Sequence, residues 1–212
     1  MTPIQIFKSV WERADMLAAL HAYLAGHVTS VLKVDELLRA EWVARVAALD
    51  LYVHELVAQR MLSIHAGLLS PTTKYLSFRV SMETQARMLA GAGTPAGLAA
   101  FDLSVREQLS YLTFQSPDKI GEAIRLCSPI ELWGEVAIFQ GASESERQAK
   151  AKSIKSTLAA IVSRRNKIAH EADLQPSIPR EAWPISAQDL ELVRSFIASL
   201  VPAIDAVIFA AD

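Results

Sequence analysis

The stretch "DELLRAEWVARVAALDLYVHELVAQRMLSIHA", residues 35–66, decides the fold class. Leu38, Trp42, Val46, Leu49, Val53 and Leu56 advance by three or four residues, and no glycine or proline interrupts the run before Gly67. Apolar residues at that spacing share one face of an α-helix, so the segment reads as a long helix around which the other elements pack. On its N-terminal side, Phe7, Val10, Trp11, Ala14, Leu17 and Ala18 mark a first helix that ends near "AGHVTS", residues 25–30. On its C-terminal side the pattern supports a shorter helix from about Arg79 to Leu89, followed by "AGAGTPAG", residues 90–97, read as a flexible connector.

Later helix starts carry capping chemistry. Ser116-Pro117 and Ser128-Pro129 each set a hydroxyl before a proline, which suits the first helical position because that position needs no backbone donor. Glu131 stands three residues after Ser128, Glu146 three after Ser143, and Asp189 three after Ser186, the spacing of reciprocal capping boxes. Pro176, Pro179 and Pro184 make "EADLQPSIPREAWPI", residues 171–185, a loop between the last two helices. With 51% hydrophobic residues, few glycines and no repeat, the 212-residue chain is expected to be a single all-α domain over residues 1–212.

The lone Cys127 cannot form an intramolecular disulfide, and charged residues in "MTPIQIFKSVWERAD" leave no room for a signal peptide's apolar run. A cytoplasmic protein is expected. The apolar segment from Leu192, "LVRSFIASLVPAIDAVIFAA", contains Arg194, Pro202 and Asp205, which fits a buried terminal helix, with Pro202 as a place for a kink, better than a bilayer span. His21 and His27 lack companions at zinc spacing, and no "HExxH" occurs, so no metal or other cofactor is expected.

Net charge is only −2, but its distribution is uneven. Residues 147–170 hold seven of the 21 lysines and arginines and no acidic residue, leaving 14 basic against 23 acidic residues elsewhere. This basic helix ends in "SRRNKIAHEADLQP", residues 163–176, where Arg165 and His170 are five apart and Asn166 follows the arginine. The same separation occurs at Arg60 and His65, where apolar Met61 follows, and is taken there as incidental. Basic residues in a last helical turn also complement the helix dipole and the free carbonyls. On a straight helix Asn166 and His170 lie about 40° apart, whereas Arg165 and His170 lie about 140° apart. Either the helix loosens before His170, or two chains bring their helix ends together.

These residue types suit RNA cleavage without a metal. An imidazole can take the 2′-hydroxyl proton or return one to the leaving oxygen, and a guanidinium can brace the phosphate as charge builds in the transition state. RNA supplies its own nucleophile. Asp50 and His54, four apart on the long helix, could pair as acid and base, although a structural hydrogen bond is the simpler reading. Trp183 and Arg180, in the loop beyond the motif, could stack on a base and touch phosphate; packing of Trp183 against the bundle is the simpler reading there.

The passage "RRNKIAHEADL", residues 164–174, resembles the signature of the HEPN superfamily, and "RAEWVARVAALDLYVHEL", residues 39–56, resembles the long helix that precedes it in the RiboL-PSP-HEPN family. The resemblance implies a HEPN-like bundle with extra helices. It further implies a homodimer with a composite, metal-independent endoribonuclease site whose products carry a 2′,3′-cyclic phosphate and a 5′-hydroxyl. Arg165 and His170 would be catalytic, with Asn166 as their polar companion. Arg164, Lys167, Lys155 and Arg180 are assigned to RNA contact. Many members are toxins or defence effectors, so an antitoxin or other regulatory protein is a further expected partner, and no membrane partner is expected. A non-catalytic RNA-binding or protein-interaction dimer is the alternative.

Overall fold

The long helix forms as its periodicity requires, and its neighbours cover it on nearly every side. In the computed structural model, which describes residues 1–29 and 32–210, this helix is α2 (Asp35–His65). It packs against α1 (Pro3–Ala25), α5 (Pro95–Ser110), α6 (Pro117–Ile124), α8 (Arg147–Glu171) and α9 (Ala187–Phe209). The one-turn α3 (Thr73–Leu76) and α4 (Met82–Ala90) lie between α2 and α5 in the chain, and α7 (Leu132–Phe139) joins α8 and α9. No strand occurs among the described residues, and the architecture is all-α. Ser30 of the first helix break, and Ala211 at the end of the apolar C-terminal segment, lie outside the described residues.

A helix with so much of its surface buried must satisfy each polar side chain it turns inward. Glu41 and Arg45 on α2 are fully buried. Glu41 Oε1 accepts from Arg45 Nη2 at 2.8 Å and Arg194 Nε at 2.6 Å, while its Oε2 accepts from Arg194 Nη2 at 2.7 Å. Arg45 also donates to Asp15 at 2.6 Å and to the Trp11 carbonyl, and its guanidinium lies 4.1 Å from the Trp11 ring centre. One buried carboxylate thereby fastens α2 to α9, and its arginine partner reaches α1. Trp42 donates its indole N–H to the Ile161 carbonyl at 3.0 Å, which fixes α2 against α8.

Asp50 points its carboxylate at the loop before α6, accepting from the Phe114 amide at 2.6 Å and Gln115 Nε2 at 2.9 Å. His54 lies 3.6 Å from Asp50 and against the Phe114 ring. Asp50 therefore ties a loop down, a structural role, but through that loop and not through the hydrogen bond to His54 that the spacing suggested. Arg60 and His65 also serve packing: Arg60 is buried beside the Cys127 carbonyl and the Phe209 ring, and His65 stacks on Phe101 at 4.2 Å.

Several helix boundaries differ from the sequence expectation. Met82, not Arg79, opens α4, because the Ser81 hydroxyl accepts from the Thr84 amide and caps the helix there. Ser128 does not cap α7. Its amide donates to the Ile124 carbonyl as a continuation of α6, its side chain is buried, and Glu131 caps the Gly134 amide instead. Ser143 donates its amide and hydroxyl to Glu146, so that hydroxyl caps no helical amide and α8 starts at Arg147. The box at Ser186 and Asp189 forms completely.

The connector expected over residues 90–97 is shorter than its glycine content suggests, because Thr94 and Pro95 open α5, a helix the sequence reading did not identify. Gly91 and Gly97 are buried and face each other: a Cβ on Gly91 would stand 2.5 Å from the Gly97 amide nitrogen. These glycines serve close approach of α4 and α5 rather than flexibility. Gly91→Ala is accordingly expected to destabilise the fold by roughly 1–3 kcal/mol, the cost of overpacking. Thermal melting reads the effect, and an unchanged midpoint would return the segment to a flexible joint.

The helix α9 runs unbroken through Pro202. By length and composition it is apolar enough to cross a membrane, but Leu190, Val193, Ile197, Leu200, Val201, Ala203, Ile204 and Ile208 are buried within the bundle. Asp205 on this helix accepts from the Tyr52 hydroxyl at 3.0 Å. Burial holds the Asp205 carboxyl above its ordinary value, and the Tyr52 hydrogen bond and the nearby Lys8 charge oppose that shift only in part. A raised carboxyl means that the folded state favours the protonated form. The stabilisation is present below the ordinary carboxylate range and is lost as pH rises through the raised value. Asp205→Asn is therefore expected to match the wild type in acid and to exceed it in stability at neutral pH. Denaturant titrations across pH 3 to 7 check the sign, and a constant difference would refute it.

Candidate functional site

The helix α8 places the sequence motif, and its end depends on a buried charge cluster. The helix stops at Glu171 with Ala172 and Asp173 in left-handed conformations, φ 51° and 56°. Such angles are unfavourable for residues with a side chain, by roughly 1–2 kcal/mol each. Asp173 is held there because its fully buried Oδ2 accepts from Arg39 Nε at 3.0 Å and Arg164 Nη2 at 2.7 Å, and its amide donates to the Lys167 carbonyl. Arg39 Nη2 donates to the Trp183 carbonyl at 2.6 Å, and Arg164 Nη2 donates to the Pro184 carbonyl at 3.1 Å. The Trp183 amide donates to the Asp173 carbonyl, and Gln175 bonds across to Glu181, so residues 173–184 fold back on themselves beside the helix end.

The cluster adds a role to one assigned residue. Arg164, assigned to RNA contact, has a structural role as well: its Nη2 donates to Asp173 and to the loop carbonyls, while the side chain keeps 22% of its surface exposed. Arg39 and Asp173 are the residues that sequence reasoning missed. The available signal was an arginine on the otherwise apolar face of α2, which needs a buried acidic partner.

The next arginine behaves differently. Arg165 has no acidic partner among the described residues; its Nη1 donates to Asn166 Oδ1 at 3.1 Å, and its Nε is buried without an acceptor among them. Asn166, Lys167 and His170 are exposed. Because α8 stays helical through Glu171, the loosening that could have brought Arg165 and His170 together does not occur. Within one chain these side chains leave the axis about 140° apart, while Asn166 and His170 share a face.

The remaining cations divide between two places. Lys167 and Arg180 line a cleft of about 460 Å³ between α8 and the loop, with the Lys167 ammonium 5.8 Å from the Trp183 ring centre. Trp183 is half-buried and lines this cleft, so its ring is not sealed within the bundle. Lys155 is twelve residues earlier on α8, about 18 Å along the axis from Lys167, and lines another cleft with Glu122 and Glu131. No group of histidine, cysteine and carboxylate side chains suited to a metal occurs among the described residues.

The geometry defines an all-α protein with an exposed basic helix end braced from within by an Arg-Asp-Arg cluster. Comparison of the chain with protein-family models, with curated proteins and with solved structures found no match.

Proposed function

We propose that the protein is a HEPN-like, metal-independent endoribonuclease that acts as a homodimer in the cytoplasm, with a toxin or defence role regulated by a partner protein. Arg165, Asn166 and His170 form its site. The observation that carries this reading is the unequal fate of two adjacent arginines: Arg164 is paired with the buried Asp173, whereas Arg165 has no acidic partner among the described residues.

Divergence within one chain makes the dimer part of the mechanism. A twofold axis beside the end of α8 sets the histidine of one chain opposite the arginine of the other, and also pairs the two histidines. One imidazole takes the proton of a ribose 2′-hydroxyl, whose oxygen attacks phosphorus. The 5′-oxygen leaves with a proton from the second imidazole, giving a 2′,3′-cyclic phosphate and a 5′-hydroxyl. Arg165 stabilises the added negative charge on phosphorus, and Asn166 orients phosphate or imidazole.

Incubation of the purified protein with total tRNA and mRNA in EDTA, with the new termini mapped, tests the reaction class. Cyclic phosphate ends are expected with the wild type and not with His170→Ala, and an absolute metal requirement would defeat the reading. A second reading, RNA binding without cleavage, is favoured by the divergence of Arg165 and His170 in the single chain. Salt-sensitive complexes without new RNA ends would select it.

A further inference from the structure

The cleft between α8 and the 173–184 loop contains features that phosphate recognition does not require. A guanidinium and an imidazole suffice to grip a scissile phosphate, yet on the His170 side of α8 the fold also presents the indole of Trp183, the apolar faces of Leu174 and Pro176, and two cations at the cleft, Lys167 and Arg180. Lys167 and His170 are three residues apart, neighbours on the helix surface, so the cleft borders the proposed reaction centre. Its volume of about 460 Å³ falls within the roughly 300–1,000 Å³ of small-ligand sites.

We infer that this cleft receives one nucleotide of a single-stranded RNA, its base stacked on Trp183 and its phosphate held by Lys167 and Arg180. The inference rests on the reading of α8's end as facing RNA, and it adds a subsite that holds the strand beside the cleaved bond. Stacking on an aromatic ring accepts every base because each has a π-face, while the cations hold the backbone. The Lys167 ammonium already lies over the Trp183 ring at 5.8 Å, near the outer limit of a cation–π contact. An exposed lysine at that distance moves aside at small cost, and its ammonium then follows the phosphate attached to the stacked base. Glu171 also lines the cleft, and its carboxylate disfavours a second phosphate there.

The Arg39 and Arg164 guanidiniums hold the Trp183 and Pro184 carbonyls, so the backbone beneath the indole is fixed independently of the ring. A change confined to the ring should therefore leave the loop in place. The test uses the full chain carrying His170→Ala, so that bound RNA is not consumed. It reads affinity for a short single-stranded oligoribonucleotide in EDTA by fluorescence anisotropy, with tryptophan emission followed in parallel. Binding is expected to quench emission. Trp183→Leu should weaken affinity on the order of 10-fold or more, while Trp183→Phe retains most of it, with melting curves superimposing. An abasic oligonucleotide should bind about as weakly as the leucine variant binds the intact strand.

Equal affinity of the leucine variant, or of the abasic strand, overturns the proposal in favour of a groove that contacts phosphate alone. Cleavage is scored separately on protein retaining His170. Cleavage with no dependence on Trp183 defeats the base cleft and leaves the nuclease reading intact; base-dependent binding without any cleavage defeats the nuclease reading and upholds the cleft.

Discussion

Alanine at His170 is expected to lower RNA cleavage on the order of 100- to 10,000-fold, the usual contribution of a positioned general acid or base. Arg165→Ala is expected to lower it by about 100- to 1,000-fold, as loss of a donor to a developing oxyanion does in other enzymes. Neither change should move the melting temperature much. His170 is exposed, and Arg165 has no acidic partner among the described residues to leave uncompensated. Arg164→Ala supplies the contrast: it removes a cation from buried Asp173 and should appear first as lost stability. Initial rates on a defined RNA in EDTA, measured beside thermal melts, separate these outcomes. Cleavage by His170→Ala and Arg165→Ala at the wild-type rate would refute the site.

Asp173→Ala is expected to destabilise the protein by roughly 3–5 kcal/mol, the cost of removing one member of a buried charge cluster while the others stay inside. The carboxylate is fully buried and receives Arg39 and Arg164 on one oxygen, so both guanidiniums lose their common acceptor. Alanine is also poorly suited to the left-handed angle of this residue, φ 56°. The loss should extend beyond stability, because Arg39 and Arg164 also hold the Trp183 and Pro184 carbonyls beside the end of α8. Denaturant unfolding measures the first effect, and RNA affinity under native conditions measures the second. A stability loss below about 1 kcal/mol would rank the cluster with solvent-exposed ion pairs.

The two stretches that carry the resemblance meet in the structure. Arg39, Glu41, Trp42 and Arg45 all lie within "RAEWVARV", residues 39–46, and all four side chains fasten α2 to other parts of the fold. Arg39 bonds Asp173 of the second stretch directly. Polar residues on a core helix are thus accounted for by the partners they find, and the partners on other elements are distant in the sequence. For the same reason adjacent Arg164 and Arg165 could not be told apart by residue type: they leave the helix about 100° apart, and one meets Asp173 whereas the other does not.

Apolar spacing along residues 35–66, the caps at Ser116 and Ser186, and the proline-rich break after α8 were legible because each depends on interactions within a few residues. The concentration of positive charge on α8 was legible for the same reason, as was the shared face of Asn166 and His170. Packing determined the rest. Ser128 looks like a cap but bonds back to the last residue of α6 and turns inward; Gly91 and Gly97 look like a hinge but allow two helices to touch. Arg164 looks like its neighbour Arg165 but joins an ion cluster with Arg39 and the buried Asp173. Local sequence fixes which backbone geometry is favourable, whereas the neighbour that satisfies a buried charge or fills the space above a glycine exists only once the helices are packed.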